Sequence, residues 1–282
     1  MERLFKWLLP FLVVLQVLLV LGGLMPAETA LLVSGIVELL LLAVVARQLI
    51  VAVRRYRLDR TKGLSVENAI EDALAVFLPR KVARLVALEP RILIYLYKWL
   101  LRRRPYAPNE FSYRSRSIMG ALMAVVLITG PVEILLVELL VPWEWVRWTV
   151  LILGLYSAVW IAGLYASMRV RPHLLDTSGL RLYHGLLAEG FVPYADISEV
   201  QPIRRPVRSR SEGLMHVPQE SATYLPMGGR TDITLHLNRP VAVEGLLSSV
   251  LPATTIHLAV DDPGRFTDVL NQQRALIASL DA

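Results

Sequence analysis

Four apolar runs long enough to cross lipid lie between residues 7 and 168, and no other feature constrains this fold so tightly. A helix needs about 20 apolar residues to span a hydrocarbon core. The runs are 7–24, broken by Pro10 and Gln16; 29–53, carrying Glu38 and Arg47; 117–141, carrying Glu133 and Glu138; and 146–168, with no acidic residue. Over 282 residues the hydrophobic content is 55%, above the roughly 45–50% of soluble domains. That excess sits in these runs, and the last part of the chain reads as an ordinary soluble sequence. The expectation is a membrane all-α helical bundle of about four spans over residues 1–168, followed by a β-rich domain over 169–282.

Charge orients the spans. Residues 54–116 hold 15 Lys or Arg against 6 acids, whereas the turn Gly22–Glu28 has no basic residue and Pro142–Arg147 has one. Basic loops stay in the cytoplasm. The expectation is a multi-pass protein of a bacterial inner membrane with both termini cytoplasmic, and Trp143, Trp145 and Trp148 at the outer interface. The first run reads as a signal anchor, because its apolar core is long and no small-residue cleavage site follows.

Residues 54–116 read as a cytoplasmic amphipathic loop. Ser65 can cap a helix through Val66, Ile70 and Leu74. Ile92–Leu101, about ten apolar residues followed by Arg102, Arg103 and Arg104, is too short to cross a bilayer. It either lies in the interface plane or covers the cytoplasmic end of the bundle.

From Leu174 short strands are expected: Leu180–His184, Gly190–Pro193, Ile197–Ile203, an alternating run around Ile233, Leu235 and Leu237, Val241–Val243 and Ile256–Val260. Residues 204–230 read as a long loop rich in Arg, Pro, Ser and Gly. Asp262 and Pro263 open a last helix with Phe266, Val269, Leu270, Leu276 and Ile277 on one face.

Ser178-Gly179-Leu180-Arg181-Leu182, Gly185, Val192-Pro193 ahead of Ile197 and Val200, and Asp261-Asp262-Pro263 leading into Phe266 and Leu270 resemble the pieces of a bacterial pleckstrin-homology-like domain. That resemblance implies a barrel with a closing helix. Pro142-Trp143, Arg147-Trp148, Tyr156, Trp160, Gly163 and Arg171-Pro172-His173 resemble uncharacterised multi-span membrane proteins of actinobacteria, a likeness that implies architecture and no activity. Phosphoinositide-binding pleckstrin-homology domains place basic residues in an early loop. Here Arg204, Arg205, Arg208 and Arg210 lie in a later one, which leaves two readings, a solvated loop or generic contact with anionic headgroups, the latter shared with Arg102, Arg103 and Arg104.

Ionisable groups within spans are costly and point to function. Gln16, Glu38, Glu133, Tyr156 and Ser157 fall at similar depth and form an intramembrane polar layer. It reads as helix–helix glue, a partner-binding face, or a proton or cation site. The five histidines, His173, His184, His216, His236 and His257, show no metal-ligand spacing and read as surface residues. The chain has no cysteine, which excludes thiolate sites and disulfides. Nucleophile-elbow and phosphate-loop motifs are missing, and nucleic-acid binding is not expected.

The functional expectation is a non-enzymatic membrane protein, a scaffold or accessory subunit, that holds an interaction domain at the cytoplasmic face. It needs no cofactor, and its partners are the bilayer and a protein or second copy of itself. The alternative is a small transporter or transport accessory subunit using Glu38 and Glu133. A lipid-modifying enzyme is a third reading.

Overall fold

The computed structural model describes residues 27–62, 65–101, 106–207, 212–246 and 251–280. The chain divides into two compact units, Met1–Pro79 and Arg80–Ala282.

In the first unit, α1 (Ala27–Thr61) is 35 residues long, about 52 Å at 1.5 Å per residue. No Gly or Pro follows Gly35 within it, so the helix continues past residue 53 through Arg54, Arg55 and Arg57. Arg55 pairs with Asp59 one turn on, at 3.0 Å. Ser65 Oγ accepts from Asn68 N–H at 3.3 Å and caps α2 (Val66–Leu74), which packs back on α1.

The second unit begins with two short helices, α3 (Arg80–Val86) and α4 (Leu88–Leu101), and strand β1 (Glu110–Phe111). A helical hairpin follows: α5 (Ile118–Leu140) and α6 (Glu144–Val170). Ser117 caps α5. Pro142, which cannot continue a helix, sits in the turn. At the tip, Arg147 of α6 pairs with Glu138 of α5 at 2.6 Å. No residue of α5 is buried, and α6 buries residues only near its C-terminal end, at Gly163 and Ala166–Met168.

The remaining chain builds the sheet: β2 (His173–Leu175), β3 (Gly179–His184), β4 (Ala188–Pro193), β5 (Ile197–Gln201), β6 (Arg205–Pro206), β7 (Met215–Val217), β8 (Ala222–Leu225), β9 (Arg230–Thr231), β10 (Ile233–Gly245) and β11 (Pro252–Leu258), closed by helix α7 (Pro263–Leu280). Nine strands form one sheet in the order β1-β2-β3-β4-β10-β11-β8-β7, with β5 also on β10, while β6 and β9 pair apart. The spine is β10, a single 13-residue strand where two strands were expected. Its first half pairs with β5 and its last residues with β4. Between them lies Pro240, which has no N–H to give a ladder, and the register with β11 shifts between His236 and Val241. The bent sheet wraps one core that includes Phe111, Leu180, Ile233, Leu235, Ile256 and, from α7, Phe266 and Leu270.

Two expectations are overturned. Among the described residues two helices, α5 and α6, are long and apolar enough to cross a membrane, not four. Run 7–24 lies outside the described residues. Run 29–53 is absorbed into α1, whose later turns are strongly basic. The fold is therefore not a four-span bundle. Nor is the sheet a pleckstrin-homology-like barrel. Its end strands β1 and β7 do not pair, and β8 joins β11 in parallel. The parallel edge comes from residues 215–225, expected as loop, where Ala222, Thr223 and Leu225 are buried.

The sheet domain also starts earlier than residue 169. Strand β1 precedes the hairpin and pairs with β2, which follows it. The hairpin is thus an insertion between two neighbouring strands.

Candidate functional site

The chemistry of this molecule concentrates where the hairpin joins the sheet. On the entering side, Arg116 Nη1 donates to both oxygens of Asp232, at 3.1 and 2.9 Å. The Asp232 side chain is 1% exposed, and Arg204 Nε stands 3.5 Å from it. Ser115 donates to Asp261 Oδ1 through its N–H (3.0 Å) and its hydroxyl (2.5 Å). Glu212 accepts from Ile118 N–H at 2.5 Å, Ser117 Oγ at 2.7 Å and Gly228 N–H at 3.3 Å. A carboxylate at the first turn of α5 satisfies orphan amides and suits the positive end of the helix dipole. Glycine is required at 228. Its φ is positive, in the left-handed region that side chains disfavour, and a Cβ would stand 2.8 Å from Arg116 O.

On the leaving side, Arg171 donates to Gly185 O at 2.9 Å and to Glu189 at 2.5 Å, and lies 4.2 Å over the Tyr183 ring. Burial opposes the Glu189 charge, yet Arg171 outweighs it and holds the carboxyl below its usual range.

Between the two sides three buried rings stack. Tyr113 lies 4.6 Å from His173 and 6.2 Å from His184, centroid to centroid. Gly185 N–H donates to the Tyr113 hydroxyl at 2.7 Å. His173 Nδ1 accepts from Tyr183 N–H at 3.1 Å. A neutral imidazole carries one proton, so that proton is on Nε2, which donates to Ala259 O. Burial disfavours the charged form of each ring. It pushes His173 down to about 3 and His184 down to about 4, and raises the Tyr113 phenol. His184 Nε2 is buried without a hydrogen-bond partner among the described residues. Both imidazoles are neutral packing elements, contrary to their expectation as surface residues. His257 is buried as well, with Nδ1 2.9 Å from Thr234 Oγ1. Among the described residues no group of three or more His, Asp or Glu could hold a metal ion.

Beside this junction is a cavity of about 300 Å³ lined by Arg114, Ser115, Ser117, Gly120, Ala121, Tyr165 and Met168. Arg114 Nε donates to the Tyr106 hydroxyl at 3.4 Å, which donates to Arg169 O at 3.0 Å.

Helix α4 packs along the C-terminal half of α6. Leu88, Ile92 and Tyr95 are buried there with Trp160 and Leu164 packed against them. Gly163 permits the approach, because a Cβ there would overlap Ile92 Cγ2. Trp99 meets Tyr165 edge-on at 5.7 Å, and Arg169 lies 5.9 and 5.2 Å over those two rings.

The expected polar layer is only partly described. Gln16 lies outside the described residues. Glu38 lies on α1, its side chain outside them. Glu133, Tyr156 and Ser157 are exposed on the hairpin. Tyr156 donates to Glu89 of α4, and Ser157 Oγ donates to Leu153 O at 2.8 Å. Among the described residues no hydrogen bond joins Glu133 to either. Of the expected headgroup contacts, Arg102, Arg103, Arg104, Arg208 and Arg210 lie outside the described residues. Arg204 reaches Asp232, and Arg205 is exposed on β6.

Glu89, Tyr113, Glu212 and Asp232 escape sequence reasoning, because each acts on a partner far away along the chain. The one local signal was Ser117, a capping residue directly ahead of an apolar run. No family model, curated protein or solved structure matches this chain.

Proposed function

We propose that this chain is a non-enzymatic membrane protein whose α5–α6 hairpin crosses the bilayer and holds the sheet domain at the cytoplasmic face as an interaction platform. One observation carries this reading: an apolar hairpin is inserted between two paired strands of the domain, with both ends clamped to the sheet. Residues such as Ile128, Leu139 and Leu155 are 66–71% exposed, and water does not tolerate so continuous an apolar surface. Lipid does. A single linker would leave a domain free to tumble, whereas two clamped legs fix its orientation to the membrane.

Charge sets the direction. Arg114, Arg116, Arg169 and Arg171 stand at the sheet end of the hairpin, against Arg147 at its tip, where Glu138 pairs with it. The basic end belongs in the cytoplasm, which puts the sheet domain and the C-terminus there, in a multi-pass protein of a bacterial inner membrane. The platform binds a protein partner or a second copy of the chain.

The absence of cysteine makes the test direct. Single cysteines introduced as Trp143→Cys at the tip and Ser198→Cys in the sheet domain are exposed to a membrane-impermeant maleimide on intact cells. The tip reacts, and the domain reacts only after permeabilisation. Labelling of the domain alone, or a chain that stays in solution without detergent, overturns the reading. Purification in mild detergent then yields a stoichiometric complex. A lone monomer removes the interaction role.

A further inference from the structure

We propose that the cavity at the base of the hairpin binds the phosphate headgroup of an anionic membrane phospholipid. The inference rests on the hairpin crossing the bilayer, which brings this cavity to the depth of the headgroups.

The lining is amphipathic. Arg114, Ser115 and Ser117 form one side, and Gly120, Ala121, Tyr165 and Met168 the other. From Ala121 the apolar surface continues along α5 into exposed Leu122 and Val125, the path an acyl chain would take. A volume of about 300 Å³ sits at the small end of ligand cavities. It suits a glycerophosphate headgroup with its chains left outside.

The charge that selects an anion comes from arginine and not from the helix end. The first turn of α5 is already neutralised by Glu212, and both serine hydroxyls are spent as donors, to Asp261 and Glu212. Arg114 is different. Its Nε is used by Tyr106, and among the described residues no carboxylate pairs with its terminal nitrogens. A second guanidinium, Arg169, stacks over the cavity-lining Tyr165 at 5.2 Å, and its Nε is buried without a hydrogen-bond partner among the described residues. Tyr106 ties the two arginines together, accepting from Arg114 and donating to Arg169 O. Arg114 in the lining, with the Arg169 charge behind the Tyr165 ring and an apolar wall opposite, matches a phosphate that carries a hydrocarbon tail. Inorganic phosphate offers the same oxygens without the tail.

The full chain in mild detergent is titrated with dioleoyl phosphatidylglycerol, dioleoylglycerol or inorganic phosphate, and retained ligand is read by native mass spectrometry. One phosphatidylglycerol is retained per chain, and dioleoylglycerol is not. Arg114→Gln weakens retention about tenfold, as expected for one lost charge-assisted contact. Ala121→Leu, which fills the apolar wall, abolishes retention while thermal unfolding in detergent stays unchanged. Equal retention of dioleoylglycerol, displacement of the lipid by millimolar inorganic phosphate, or unchanged retention in both variants overturns the assignment. A chain that integrates into membranes yet retains no phosphatidylglycerol sinks the site alone. A chain soluble without detergent sinks the membrane reading first.

Discussion

Replacing Gly163 by alanine should pry α4 from α6, and the size of the effect follows from the geometry of the crossing. The added Cβ would overlap Ile92 Cγ2 and lie 3.0 Å from Ile92 O and 3.2 Å from Ile92 Cβ. Carbon atoms in contact rest at about 3.5–4.0 Å. A side-chain rotation relieves the overlap but not the approach to the carbonyl, so α4 itself must retreat by several tenths of an ångström. Overpacking of this kind costs about 1–3 kcal/mol. Leu88, Ile92 and Tyr95 lose their fit together, being 6%, 1% and 7% exposed in one cluster, so the upper half of that range is expected. The assay is chemical denaturation in detergent of Gly163→Ala, Ile92→Ala and the double variant. Ile92→Ala alone costs about 2–5 kcal/mol through its cavity. The double variant removes the clash with Cγ2 and puts the new methyl in the space the Ile92 side chain leaves, while the approach to Ile92 O remains, so it should be less destabilised than the sum by about 1 kcal/mol. Strict additivity, or a Gly163→Ala protein as stable as the parent, would refute the close crossing of these helices.

Three other outcomes can be measured. Arg116→Met leaves a buried Asp232 carboxylate with, among the described residues, Arg204 at 3.5 Å as its remaining ion-pair partner. Breaking a buried pair costs about 3–5 kcal/mol, tempered here by Arg204, so an Arg116→Met/Asp232→Asn variant should recover part of the lost thermal stability. His173 and His184 are held neutral by burial, pushed from 6.5 to about 3 and about 4. The unfolded chain takes up those protons first, so stability is complete above pH 7 and falls as pH drops below 6.5. Between pH 7 and pH 5 the two together account for about 4 kcal/mol by linkage. His257 is shifted the same way, to about 4, so His184→Gln should remove about 2 kcal/mol of the total pH dependence in denaturation at the two values, and an unchanged slope would rule out its buried neutral state. Asp262 Oδ1 accepts from Arg265 N–H at 3.1 Å and caps α7. Asp262→Ala should cost about 1 kcal/mol, seen as faster amide exchange confined to the first turn of that helix.

Local order was legible in the sequence wherever one stretch of chain decided it alone. Ser65 ahead of a short amphipathic helix, the turn at Pro142, Asp262-Pro263 before an amphipathic face, and alternation around Ile233 each follow from a backbone or transfer preference of a few neighbouring residues. Residues 118–140 and 144–170 are long and apolar enough to cross a membrane whatever surrounds them, and that much could be read without any fold. Run 29–53 misled for a related reason. Apolarity says that a segment avoids water, but not where its helix stops, and α1 continues into its arginines because no residue there breaks a helix.

What the tertiary structure alone decided is which distant groups meet. Sheet closure depends on edge partners, and the parallel pairing of β8 with β11 joins segments well separated in the chain, which no local pattern encodes. His173 and His184 were indistinguishable from surface histidines until Tyr113, from the far side of the hairpin insertion, stacked against them. Glu212 and Asp232 look like ordinary acids of a basic loop and a strand start, yet each neutralises the base of a hairpin that lies far earlier in the sequence. Periodicity and capping act through bonds between near neighbours in the chain. Burial, ion pairing and cavities act through space, and the fold had to bring the partners together before any of them existed.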